Sequence, residues 1–564
     1  MTIEQSPEAP VLEQPAAKAP QASQRPAPSQ AYEQGLSGMP ALLAMIGISL
    51  AILLSALDQT IVGTALPRIV AELHGFDLYA WVATSYLLTS TVMVPIMGKL
   101  GDLYGRKGFL IAAIVIFVAA SAGAGAAPTM LFLVLARGVQ GIGAGMLQAT
   151  AFTSVGDMFP QPARRARWQG IITSTFGLAS VVGPSLGGIM TDTLGWRSVF
   201  YVNLPIGILA IVVLIFTLPA NLSPRASHAR IDWAGAATVT LAISSLLLAV
   251  EWGGGEFAWG SPIIVGLLSF SALLLIAFIL IERRAAEPLM PLNLFRLPVV
   301  AACSAISLLI GFALFGLVFY TPLLAQGALG LSPSVAGAIQ TPLVVAMAIG
   351  SLTSGQTFAR TKRARPLLFT GGAILVIGNL LLTQVDTDVN HLALSVELGL
   401  CGLGVGMLLP MLTVLVQSAV PRGQLGVSTA MVQFLRLIGS TLGTAVIGAL
   451  VSARFAASLA ATIPPGSDSQ LVAALHDPQA LVSPDAQARA QALAQQIGAG
   501  GPEQLRQILS AAREALAIGV RAGYWLSLVA AIAVLLLLFT LREAAPTGEH
   551  VHSPALDESS FGAL

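Results

Sequence analysis

Charge is scarce in this sequence. Only 10% of its 564 residues are Asp, Glu, Lys or Arg, against about 25% in soluble globular domains, and that shortage excludes an ordinary water-soluble fold. The few charges nearly cancel to a net +1, so nothing indicates nucleic acid or a strongly acidic partner. Cysteine is scarce too. Cys303 and Cys401 both lie in apolar runs, which excludes a disulfide framework and a thiolate metal site and leaves them as small buried apolar residues. No Gly-x-x-x-x-Gly-Lys-Ser/Thr loop occurs, which argues against ATP hydrolysis. His74, His228, His391, His476, His550 and His552 show no metal-site spacing within the apolar runs. Neither a catalytic residue, a metal nor an organic cofactor is therefore expected.

Long apolar runs are what the chain has instead. Hydrophobic residues make up 55% of it and the mean hydropathy is +0.81, the signature of a membrane protein. Stretches about 20 residues long recur with short polar breaks, each sufficient to cross a hydrocarbon core of about 30 Å as a helix. Fourteen such stretches are expected, from about 41–65 to about 428–452 and a last one at about 520–541. Basic residues fall on alternate sides of them. Lys99, Arg106, Lys107, Arg164, Arg165, Arg167, Arg225, Arg230, Arg283, Arg284, Arg296, Arg360, Lys362, Arg363, Arg365 and Arg422 share one side, whereas the short loops opposite hold Arg68 and Arg197. By the positive-inside rule the first group and both termini are cytoplasmic.

The organisation expected from this pattern is all-α. Residues 1–38, rich in Pro, Ala and Gln, read as a disordered cytoplasmic tail, with no apolar start of the signal-peptide kind. Residues 39–220 form a first six-helix bundle, 221–297 two inserted helices with their loops, 298–541 a second six-helix bundle and 542–564 a cytoplasmic tail. Trp252 and Trp259 fit interfacial anchors of the inserted pair. An outer loop at 453–519 carries helical stretches near 484–497 and 502–518. It is read as a lid, a docking surface for an extracytoplasmic partner, or a passive extension. Gly98-Lys-Leu-Gly101-Asp102-Leu-Tyr-Gly105-Arg106-Lys107 between spans 2 and 3 has a fainter echo in Gly350, Gly355, Arg360, Lys362 and Arg363 between spans 10 and 11. Such duplication marks carriers that rock two bundles about a central site.

Four motifs carry a family resemblance. Gly98 to Lys107 matches the loop 2-3 signature of the major facilitator superfamily, and Leu57-Asp-Gln-Thr-Ile-Val-Gly-Thr-Ala-Leu-Pro67 is similar to the signature of its fourteen-spanner drug:proton antiporter branch. Arg137-Gly-Val-Gln140-Gly-Ile-Gly-Ala-Gly145 resembles the branch's proton-coupling motif, and Gly177 with Gly183-Pro184-Ser-Leu-Gly187-Gly188 its antiporter motif. The resemblance covers about residues 40–452 and the last span. It implies the superfamily fold, with two six-helix bundles and two inserted helices. It also implies proton-coupled export of small hydrophobic or amphiphilic compounds, cationic ones among the candidates, across a bacterial inner membrane, powered by the proton gradient. Export of a lipid-like metabolite with an extracytoplasmic partner, proton-coupled uptake, and a non-transporting scaffold or sensor stay open as alternatives.

The residues themselves have a physical reading. Asp58 lies well inside span 1, where a carboxylate is expensive unless it pairs, faces a cavity or takes a proton. Burial disfavours its charged form and a guanidinium beside it favours it, so a site alternating between the two loads and releases a proton. Arg137 in span 4, which keeps its charge, is the expected second influence. The competing reading makes Asp58 a packing residue satisfied by Gln or Ser neighbours, and Arg137 a bridge to carbonyls of a neighbouring span. Gln140, on the same helix face as Arg137, is polar cavity lining or interhelical glue, as is Gln148. Gln59, Phe312, Phe315, Gln340, Gln433 and Arg436 are further cavity candidates, with packing or lipid contact as the plainer role for the aromatics. Glu397 is either interfacial or a second proton or cation site. Gly101 and Gly105 suit a tight turn, with Asp102 placed near the start of span 3 where a helix dipole favours an anion. Arg106 and Lys107 are read as a latch, with Asp157 the expected partner of Arg106, or as a topology signal alone. Gly141 with Gly145 and Gly183 with Gly187 are small-xxx-small pairs, and Pro184 removes one helix hydrogen bond.

Overall fold

The computed structural model describes residues 37–541 apart from 75–77, 80, 220–231, 254–256, 388, 464–467, 476–477 and 498–499. Both tails, apart from Ser37 and Gly38, together with Arg225 and Arg230, lie outside the described residues. Among the described residues, fourteen helices are long and apolar enough to cross a membrane. In chain order they are α1 Gly38–Leu73, α2 Trp81–Tyr104, α3 Arg106–Gly125, α4 Met130–Met158, α5 Pro162–Leu194, α6 Ser198–Thr217, α7 Trp233–Trp252, α8 Pro262–Glu282, α9 Pro298–Ala328, α10 Pro333–Thr361, α11 Arg365–Leu382, α12 His391–Ala419, α13 Leu425–Thr462 and, after two short helices, α16 Gly501–Leu538. The short pair is α14 Ser469–Ala474 and α15 Pro484–Ile497.

Local chemistry starts several of these spans where they start. Thr129, Ser261 and Ser332 each accept a hydrogen bond from the backbone N–H three residues on, and Asn390 Oδ1 accepts from Leu392 N at 2.9 Å. Proline opens α5, α8, α9 and α10, where its missing N–H costs nothing. At Gly105 φ is +89°, the left-handed turn that separates α2 from α3.

Interhelix packing rests on glycine pairs, and these pairs repeat. A Cβ built on Gly141 or Gly145 of α4 would lie 2.3 Å from the carbonyl oxygens of Tyr86 and Ser90 in α2. Eight helices later, Gly402 and Gly406 of α12 sit equally tightly on Leu343 and Met347 of α10. Gly183 and Gly187 of α5 press on Thr60 and Thr64 of α1, and Gly439 and Gly443 of α13 press on Leu308 and Phe312 of α9. The same two glycine-mediated contacts thus build each half, an internal duplication offset by the inserted pair α7–α8. Without a hydrophobic drive between helices in lipid, close backbone approach of this kind supplies the packing.

The inserted pair leans on the seam between the halves. Trp252 of α7 meets Trp81 of α2 edge to face at 6.2 Å, and Ser271 of α8 donates to the Ala242 carbonyl at 2.8 Å. Beyond α8, Glu287 pairs with Lys99 of α2 at 2.6 Å.

Two boundaries differ from the sequence expectation. α13 continues to Thr462, well past 452, and the stretch expected at 502–518 is one unbroken helix with the last span, Gly501–Leu538. Each is 38 residues, about 57 Å at 1.5 Å per residue, nearly twice a hydrocarbon core. Both therefore project beyond it. The projecting turns stay helical because Phe455, Leu459, Leu505, Ile508, Ala512 and Leu516 bury themselves with Leu471, Leu475 and Leu481 in a small outer core.

Candidate functional site

In the first half, side chains of α4 and α6 converge on one carboxylate of α1. Asp58 of α1 has 0% exposure and Arg137 of α4 has 3%. The Arg137 guanidinium donates to Asp58 Oδ2. It also donates to Gln140 Oε1 at 2.8 Å and, through Nε, to the Val82 carbonyl of α2 at 3.3 Å. Gln140 Nε2 and Asn203 Nδ2 of α6 then donate to Asp58 Oδ1 at 2.9 and 3.0 Å. Asn203 is itself fixed by a 2.9 Å bond to Ser121 of α3, whose hydroxyl donates to the Phe200 carbonyl. Tyr86 lies under the guanidinium, its ring centroid 4.3 Å from Arg137 Cζ. The cluster is a buried ion pair with nearly complete hydrogen bonding, the condition under which two charges tolerate removal from water.

Asp58 and Arg137 are thus brought together as their charges suggested, and Gln140, which helical spacing put on the Arg137 face, is a member of the ion-pair cluster rather than free lining. Tyr86, Asn203 and Ser121 were not singled out from the sequence. Asn203 carried a signal, an amide at the start of an otherwise apolar run, but it lies within the error of a span end. Gln59 reaches only the edge of the cluster, 3.5 Å from the Tyr86 hydroxyl. Gln148 lies two turns beyond Gln140 on α4 and is half-buried.

A second polar cluster lies at the ends of the helices that carry the Lys/Arg-rich loops. Arg106 contacts Asp102 at 2.6 Å and Asp157 at 2.7 Å, and all three are buried or nearly so. Arg106 pairs with Asp157 as expected, but the place of Asp102 differs from the expectation. It falls in the last turn of α2, not at the start of the third span, and serves another helix: its two oxygens accept from Gly426 N and Val427 N, each at 2.8 Å, at the N-terminus of α13. An anion there meets the exposed N–H groups and the positive end of a helix dipole. Gly98 belongs to the same contact, since a Cβ on it would lie 2.4 Å from that of Ala430. Gly101 is buried beside the Arg106 side chain, and Lys107 donates to the Ile215 carbonyl of α6 at 2.7 Å. Gln417 of α12 extends the closure, donating to the Phe152 carbonyl of α4 at 3.2 Å and to Thr429 of α13 at 2.9 Å.

α5 divides its length between the halves. Gly170 and Gly177 pack on Ser351 and Ala348 of α10, while Gly183 and Gly187 pack on α1. The helix runs unbroken through Pro184, and beside Gly188 there is open space. These close approaches between the halves lie toward the basic ends. Further along, Gly63, Thr64, Pro184 and Val446 are exposed and Arg436, Leu437 and Thr441 are partly so. The contacts between the halves described above gather at the basic side.

Of the remaining candidates, Gln340 is tied to the Val318 carbonyl of α9 at 2.8 Å. Phe312 and Phe315 are half-buried, with Phe315 6.0 Å from the exposed Phe319. Gln433 is buried, Arg436 is partly so, and Glu397 of α12 is half-buried with Oε2 unpartnered. No group of His, Cys, Asp or Glu able to hold a metal occurs among the described residues.

Two duplicated helical halves of membrane-spanning length, joined at one side and with a buried ion pair inside the first, define a multi-pass transporter. The chain belongs to the Major Facilitator Superfamily, whose family model matches residues 48–444. It is 39% identical over 427 residues to the multidrug transporter protein MdtP of Bacillus subtilis, covering 76% of this chain and 78% of that one. It is 37% identical to multidrug resistance protein 3 of the same organism, over 72% of this chain and 78% of that one. The efflux pump aflT of Aspergillus parasiticus is 32% identical, over 78% and 86% of the two chains. Among solved structures, the human organic anion transporter MFSD10 aligns with a TM-score of 0.58 at 14% identity, covering 89% of this chain and 100% of that one. The proton:xylose symporter XylE aligns at 0.54 and 15% identity, covering 89% and 95%. These last two bear on the fold alone. The superfamily comprises transporters, not enzymes.

Proposed function

We propose that this protein is a proton-coupled antiporter that exports hydrophobic or amphiphilic compounds by alternating access, its Lys/Arg-rich side and both termini facing the cytoplasm of a bacterial cell. One observation carries the coupling: Asp58 is fully buried and paired with Arg137 inside the first half. A carboxylate in that position is neutralised either by its arginine or by a proton. Taking a proton releases Arg137 and Gln140 from Asp58, which changes how α1, α4 and α6 are held together. Giving it up restores the pair and draws them back. The relatives named as multidrug transporters and as an efflux pump support the direction and the cargo class.

With the basic side cytoplasmic, the contacts between the halves close the inner side, which suits the conformer from which cargo leaves. The Asp102 cap on α13 holds that closure. The proton returns as the halves reverse, so protonation and cargo alternate.

Inverted membrane vesicles with an acidified lumen test this. Adding an amphiphile that is a cargo should release luminal protons in proportion to its uptake, and Asp58→Asn should abolish that release while leaving the protein in the membrane. Substrate-dependent proton exchange that survives Asp58→Asn removes Asp58 from the mechanism. Proton movement of the opposite sign identifies uptake by symport.

A further inference from the structure

The second half contains a guanidinium that the fold leaves without an answering group. Arg106, Arg137 and Arg165 are buried in spans, and each is held: by Asp102 and Asp157, by Asp58 and Gln140, and by the Phe159 and Pro160 carbonyls. Arg436 of α13 has no such partner among the described residues, whose side-chain ion pairs all lie elsewhere. It is partly exposed and lies on α13 nearly two turns beyond the Gly98–Ala430 contact.

The turns around it are also unsatisfied. Gln433, one turn earlier and 5% exposed, has both Nε2 and Oε1 buried without a hydrogen-bond partner. α9 touches α13 at this level, since a Cβ on Gly311 would lie 2.1 Å from the Arg436 carbonyl oxygen. On the turns of α9 just before that contact, Ser304 and Ser307 are each 1% exposed and their hydroxyls are unpartnered. Buried polar groups are nearly always satisfied, and a set of them beside an unpaired cation is costly unless a ligand completes it.

We infer that Arg436 and Gln433 form a recognition point for an anionic group, a carboxylate, sulfonate or phosphate, on an otherwise apolar cargo. A planar guanidinium engages such oxygens through two parallel hydrogen bonds, and the Gln433 amide adds a donor. Charge balance points the same way. In the first half Asp58 is neutralised by Arg137, whereas Arg436 is in no ion pair among the described residues, and an uncompensated guanidinium repels cationic amphiphiles and attracts anionic ones. This rests on the transport reading above and narrows its substrate class.

The test is equilibrium binding to the full chain in nanodiscs of zwitterionic lipid, with no gradient present. Two fluorescent probes share a dansyl group and a dodecyl chain and differ only in a terminal carboxylate or trimethylammonium. The carboxylate probe should bind about tenfold more tightly or better, from one charge-assisted pair. Arg436→Gln should remove that preference and Arg436→Lys should keep part of it. Gln433→Glu, which supplies Arg436 with a carboxylate one turn away, should abolish carboxylate binding even if Arg436→Gln fails to fold. Carboxylate binding that is unchanged in Arg436→Gln or Gln433→Glu, or a preference for the ammonium probe, overturns the inference. Gradient-driven exchange confined to cationic probes would sink this inference and leave antiport standing. Anion binding without proton exchange would support it and sink antiport.

Discussion

At the scale of single residues, the buried ion-pair cluster shows what an apolar sequence reveals and what it hides. Asp58 and Arg137 stand out because a charge within twenty apolar residues is rare enough to demand a reason. Gln140 follows from helical spacing. Asn203 and Tyr86 are silent because uncharged polar and aromatic residues are ordinary near span ends, and only the fold carries α2 and α6 to the ion pair. Asn203 gives a prediction of its own. Asn203→Ala leaves Asp58 Oδ1 with Gln140 alone and Ser121 without its amide donor. It should cost about 1–2 kcal/mol, the range for a lost buried hydrogen bond, seen as a lower melting temperature in detergent. Proton exchange should be slowed but not abolished. Thermal stability equal to the unsubstituted protein would show that Asn203 does not restrain the carboxylate.

At the scale of elements, glycine spacing was readable as close packing, but the partner of each glycine was not. Small-xxx-small pairs mark a face without naming the helix that meets it. Gly183 and Gly188 belong to one motif, yet Gly183 is pressed against Thr60 while Gly188 faces open space. Substitutions should separate them. Gly145→Ala drives a methyl group to within 2.3 Å of the Ser90 carbonyl oxygen in α2. It should destabilise by about 1–3 kcal/mol, as overpacking does. Gly188→Ala should stay within about 0.5 kcal/mol, like other substitutions away from contacts. Fluorescence-detected size exclusion after heating compares the two directly, and equal losses would contradict the packing described. The misjudged start of the last span has a related cause. Hydropathy marks where a helix leaves the membrane, not where it ends, and the polar turns of α16 stay helical on their buried alanine and leucine face.

At the scale of the whole molecule, the fourteen spans and their duplication were legible because both are written in repeats, of length in the first case and of motif in the second. The joint between the halves was not. Asp102 lies four residues from Arg106, which is the obvious local partner, whereas its contacts with Gly426 and Val427 cross more than 320 positions of sequence. That joint predicts a conformational effect. Asp102→Ala leaves two N–H groups at the start of α13 without their acceptor, so the basic side should open more often. Spin labels at Tyr104→Cys and Gly423→Cys, both exposed positions, should report longer separations by electron double resonance in the alanine variant. An unchanged distance distribution would mean that helix packing alone keeps that side shut.

The outer core formed by α14, α15 and the projecting turns of α13 and α16 grows out of the second half, sharing a continuous apolar cluster with it. Its short helices pack only on second-half elements among the contacts described, so on the alternating-access reading proposed above it is a handle fused to one half. An antibody fragment gripping it would then travel with that half, and its tilt relative to the bilayer would report the movement.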